Sequence, residues 1–116
     1  MEKDFPVQTY INNLEILELT AAQIKKDFSF FSMDIVFRDN KENAYTQLYN
    51  QILPHISKLL KDKYEKLFSL LYRIDISEKQ LKAEQEQNKE LPFEQIITGL
   101  IIKRCLQKVV LRKLYS

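Results

Sequence analysis

Glycine is nearly missing from this chain of 116 residues, which has one glycine, three prolines, one cysteine and no tryptophan. An all-β fold needs a turn about every 8–12 residues, and turn formers this scarce cannot supply them. A single glycine also rules out a P-loop and the GxGxxG dinucleotide fingerprint, so no glycine-rich loop is present to cradle phosphates. An all-α fold is what remains. One cysteine, Cys105, allows no disulfide within the chain, which fits a reducing cytosol. The opening residues MEKDF carry Glu2 and Asp4 and lack the apolar core of a secretory signal. The longest strongly apolar run, 96–102, falls far short of the roughly 20 residues that span a bilayer. These features together predict a cytoplasmic protein with no membrane association.

What the chain does have is apolar mass arranged in periods. Hydrophobic residues make up 45% and charged residues 29%, so the sequence describes one globular domain over 1–116 rather than a disordered segment. The dominant stretch is 44–74, with Tyr45, Leu48, Ile52, Ile56, Leu59, Leu60, Tyr64, Leu67, Leu71 and Ile74 at gaps of mostly three and four. That spacing is one side of a helix in need of an apolar partner. Pro54 lies inside it, lacks an amide donor and crowds the carbonyl of Asn50, which predicts a kink or a division into 44–53 and 54–73. The second long helix is expected over 93–115, entered through Pro92 and apolar around most of its circumference. The two should form an antiparallel pair at the centre of a bundle of four to six helices.

Shorter elements fill the rest. Residues 1–6 read as a frayed lead-in, and 7–19 suit a helix. Thr20 with Gln23 has capping-box spacing and predicts a separate helix over 21–28. Ser77 with Gln80 has the same spacing and opens a mostly polar helix, 78–88. The segment 38–43 reads as a turn in which Asp39 or Asn43 caps the long helix. Residues 30–37 are ambiguous, because Phe31, Met33, Ile35 and Phe37 alternate with their neighbours at a period of two. A lone strand leaves its backbone unpaired, so an apolar loop over the core is preferred to pairing with 5–10 or with a second copy.

Candidate chemistry is sparse. His55 is the only histidine and has no cysteine or histidine near it at ligand spacing. Cys105 lies on an apolar helix, the setting of an inert thiol, although Lys103 and Arg104 adjoin it. Glu84, Glu86 and Glu90 lack the Glu-x-x-His companion of a di-metal bundle and read as a solvated face. No nucleophile–base pair, metal cluster or cofactor motif can be assembled, so no enzymatic activity is expected. Arg73 and Asp75 straddle the end of the long helix and suit a structural lock. Net charge is only +2, but Arg104, Lys108 and Arg112 recur every four residues with Lys113 beside them. That stripe either meets nucleic-acid phosphates or simply offsets the helix dipole at a C-terminus. Six tyrosines and seven phenylalanines are ample aromatic surface for so small a core. A protein interface formed by Phe31, Met33, Ile35, Phe37, Tyr45 and Tyr49 is therefore expected.

The segment LLYRIDISE at 70–78 and the KRxLQKV pattern at 103–109 resemble small, all-α bacterial proteins of uncharacterised function. The resemblance covers about a third of the chain and implies a bacterial cytoplasmic setting without implying an activity. The reading is a non-enzymatic interaction or regulatory module that associates with a protein partner or with itself. Nucleic-acid binding by the basic C-terminal helix is the alternative.

Overall fold

A computed structural model describes residues 10, 13–37 and 43–115. The expected lead-in at 1–6, the 5–10 pairing segment (Tyr10 apart) and most of the 38–43 turn lie outside them. Five helices occur among the described residues: α1 (Leu14–Ser29), α2 (Ala44–Asp62), α3 (Tyr64–Ile74), α4 (Glu78–Gln87) and α5 (Phe93–Tyr115). No strand occurs among those residues. The bundle is 35 × 31 × 27 Å in extent.

The four other helices all pack on α5, and α1 and α2 cover most of it. Ala44 clusters with Leu106 and Val109, whereas the Tyr49 hydroxyl reaches the Gln95 carbonyl at 3.4 Å. Helix α2 therefore runs antiparallel to α5, as expected. Pro92 precedes α5, its carbonyl accepting from the Gln95 and Ile96 amides. The Ser77–Gln80 capping box is present at the start of α4.

Two divisions differ from expectation. Helix α1 does not stop at Thr20. The Thr20 side chain is buried and donates back to the Ile16 carbonyl at 2.7 Å, so Leu17, Ala21, Ile24 and Phe28 form one inward stripe. The cap lies earlier, at Asn13, whose side chain accepts from the Ile16 amide. Nor does the long helix divide at Pro54. Asn50 and Pro54 are both exposed, so the carbonyl that loses its partner sits on the water side and α2 continues. The division falls at Lys63, with φ −141° and ψ 61°. Lys63 is four residues after Leu59 and seven after Ile56, in line with the buried stripe. An unbroken helix would carry its ammonium into the core, and the bend leaves it exposed.

Two helix ends turn without glycine. After α1 the Met33 amide reaches back to the Phe28 carbonyl and that of Ser32 to the Ser29 carbonyl, with Ser32 at φ 60°. After α3 the Ile76 and Asp75 amides bond to the Leu71 and Tyr72 carbonyls, with Asp75 at φ 74°. Both are Schellman caps, built on residues that tolerate the left-handed region less well than glycine does.

Among the described residues one charged side chain is buried: Asp27, 3% exposed. Its carboxylate accepts from Arg73 Nε at 3.0 Å and from Gln23 Nε2 at 3.2 Å, while the Arg73 guanidinium lies 3.5 Å over the Phe30 ring. The pair ties α1 to α3. Replacing Asp27 with alanine leaves Arg73 without its partner and opens a void. We expect a loss of about 2–4 kcal/mol, below the upper range for buried pairs because Arg73 reaches water, measured as a shift in urea midpoint.

Candidate functional site

The apolar segment 30–37 is a loop, as preferred, but it does not form the expected surface. Met33 and Ile35 are buried in the chain's own core, and Phe31 and Phe37 pack half-buried against it. His55 ties the loop down. Its Nε2 lies 2.9 Å from the Asp34 carbonyl, a contact that requires Nε2 to donate, and its ring stands edge-on to Phe28. The histidine thus has a structural setting. The outward apolar side chains of the loop are Phe30 and Val36 instead.

Tyr45 and Tyr49 are half-buried and lie on a different side, with ring centroids 6.2 Å apart and planes tilted by 30°. They wall a cleft of about 460 Å³ between α2, α4 and α5. Ile96, Gly99 and Leu100 of α5 line the cleft, and Glu84 of α4 and Asn88 at its C-terminal cap face Lys103 across it. Lys103 Nζ sits 3.3 Å from Glu84 Oε1, and Asn88 Nδ2 donates to the Glu84 carboxylate and carbonyl. Burial pushes both tyrosine hydroxyls up from their ordinary pKa of 10.0, with the neighbouring Tyr49 and Glu94 adding to the effect on Tyr45 and Tyr49 respectively. Both phenols are therefore neutral donors at physiological pH.

The basic stripe is largely engaged within the fold. Arg104 donates to the Asp75 carboxylate at 2.8 Å, Arg112 to the Gln23 side chain at 2.9 Å, and Lys113 pairs with Glu15 at 3.0 Å. Lys108 lies close enough to help lower the Asp75 pKa. A shallow groove between α1 and α5 brings Lys26 beside Arg112 and Lys113 over Leu19 and Val109. Arg73 and Asp75 do not pair with each other. They fasten the end of α3 to two different helices, Arg73 to α1 and Asp75 to α5.

The surface that sequence reasoning missed is on α3. Tyr64, Phe68 and Tyr72 are 51%, 42% and 87% exposed, spaced i, i+4, i+8 along one face. The rings of Tyr64 and Phe68 meet edge to face with centroids 4.7 Å apart. Phe68 and Tyr64 also border a small apolar groove with Leu81 and Phe93. Leu67, Leu71 and Ile74 are buried as the 44–74 stripe predicts, whereas Tyr64, placed in that stripe by its spacing, lies at its edge and is left exposed beside Phe68.

No protein-family model, curated protein or solved structure matches the chain. Among the described residues no group of three or more His, Cys, Asp or Glu is placed to hold a metal ion. No helix among them is long and apolar enough to cross a membrane.

Two outcomes follow from the titratable groups. Burial pushes the Cys105 thiol up to about 12, with Asp27 nearby raising it further and Lys108, Arg104 and Arg112 opposing. At pH 8 only about one thiol in ten thousand is ionised, so a thiol reagent should leave the folded protein unlabelled and react fully in denaturant. Asp75 is shifted the other way: its hydrogen bond from Arg104 holds its carboxyl below the ordinary 3.8, opposed by desolvation and helped by the charges of Arg104 and Lys108. A depressed folded-state pKa adds stability above the unfolded value that disappears as pH falls through the folded one. Asp75→Asn keeps a residue that tolerates the left-handed turn. Its stability deficit should be constant above about pH 5 and close below pH 3.8, read by urea unfolding across that range.

Proposed function

We propose that this protein is a non-enzymatic, cytoplasmic interaction module of the bacterial kind its sequence resembles, and that it associates through the aromatic face of α3, in the first instance with a second copy of itself. One observation carries the reading: three aromatic rings in line along one exposed helix face, Tyr64, Phe68 and Tyr72. Large aromatic side chains are enriched in the cores of interfaces, where they bury much area at little entropic cost.

The nucleic-acid alternative draws less support. Arg104, Arg112 and Lys113 already hold partners in the chain, so phosphates would have to displace them.

Sizing with light scattering tests the proposal. We expect a mass of twice the 13.9 kDa of one chain, and return to the single-chain mass in a Phe68→Ser/Tyr72→Ser variant with unchanged helical circular dichroism. A monomeric wild type that captures no protein after nuclease treatment would count against it. Capture that vanishes with nuclease would favour the basic helix instead.

A further inference from the structure

Glycine is used in this chain where the fold gains least from it. Ser32 and Asp75 occupy left-handed turns in which glycine carries least strain. The one glycine stands inside α5 at position 99, where it is the least favourable residue after proline. Helical glycines are usually explained by a positive φ or by another element pressed against the backbone. Neither applies. Gly99 has no positive φ, and a β-carbon built on it would meet nothing within 4 Å. What the missing side chain leaves open is part of the lining of the cleft between Tyr45, Tyr49, Glu84 and Lys103.

We propose that this cleft binds a small planar aromatic molecule, one edge of which carries a hydrogen-bond donor beside an acceptor, with its ring face laid against the Gly99 backbone. Three features define that ligand. The volume, about 460 Å³, lies in the range of small-molecule sites. The walls supply apolar contact from Ile96, Leu100 and the two tyrosine rings, whose offset and tilt suit stacking or edge contact with another ring. At the rim Glu84 and Lys103 set an acceptor and a donor 3.3 Å apart. A ring bearing an amino group next to a ring nitrogen offers the complementary pair. Because the pair is neutral as a whole, neither a strong anion nor a strong cation is favoured. The cleft is built from α2, α4 and α5 and shares no lining residue with the Tyr64–Phe68–Tyr72 face, so the inference stands apart from self-association.

Adenine is the probe, with toluene as a ring that lacks the polar edge. Each is titrated into the full isotopically labelled chain and followed by two-dimensional NMR. We expect saturable shifts at the Gly99 and Lys103 amides with adenine, and markedly weaker ones with toluene. Lys103→Ala should weaken adenine at least tenfold. Gly99→Ala is the decisive variant, because it should raise the thermal midpoint by about 3–6 °C through helix propensity while weakening adenine at least tenfold. A variant that is more stable and binds adenine equally well overturns the proposal. So does a less stable Gly99→Ala protein, which would mean that the fold itself requires the glycine. Absence of saturable shifts at Gly99 in the wild type overturns it as well.

Discussion

A helix whose residues 96–110 are apolar around most of their circumference cannot lie at a protein surface, and that constraint governs this fold. Ile97, Ile101, Ile102, Cys105, Leu106 and Val109 of α5 point in different directions and all are buried. Two partner helices would cover only part of such a cylinder, so four are wrapped on it. The cations of α5 emerge at the seams between them. Lys103 meets Glu84 of α4, Arg104 meets Asp75 at the end of α3, and Lys113 meets Glu15 of α1. What reads in the sequence as a basic stripe is thus a set of ties from the central helix to its covers. Exposed pairs of this kind contribute little energy each, about 0–1 kcal/mol, and they orient the covering helices while burial supplies the stability.

Where local signals and packing agree, the sequence is readable almost to the residue. Pro92 marks the start of α5 and the Ser77–Gln80 box the start of α4, since nothing in the core opposes either signal. The failures share a different cause. Thr20 carries the chemistry of a cap, yet it falls on the same helical face as Ile24 and Phe28, and the apolar stripe outweighs one capping interaction. Pro54 carries the chemistry of a break, yet it lies on the solvent side, where a lost backbone bond is replaced by water. Lys63 carries no break signal at all. Only the position of Leu59 and Ile56 makes it intolerable inside a continuing helix, and that is a statement about burial rather than propensity.

The candidate surfaces were harder to read for the same reason. Aromatic content announces surplus surface, but which rings are surplus depends on which faces the neighbouring helices cover, and Tyr64, Phe68 and Tyr72 are the ones left exposed on α3. Met33 and Ile35 went inward because Phe28 and His55 offered the loop a seat. Asp27 was legible in principle: it is a charge on the stripe of Ile24 and Phe28, and such a position demands a partner. Its partner, Arg73, is 46 residues away, beyond the reach of any local pattern.

Helix α4 joins the two surfaces by its composition. It buries Leu81 alone, and a ten-residue helix with so little buried area does not hold itself together in water. Its capping box and the Glu84–Lys103 pair supply part of what burial does not. One side of α4, through Leu81 and Gln85, borders the groove beside Phe68, and another, through Glu84 and Asn88, forms a wall of the cleft. Anything that binds the folded form at either place stabilises the helix by mass action. A more apolar α4 would pack more firmly, but only by replacing Glu84 and Asn88, the groups that give the cleft its polar rim. The weakness of this helix and the chemistry of the cleft therefore have one origin in the polar run at 82–90.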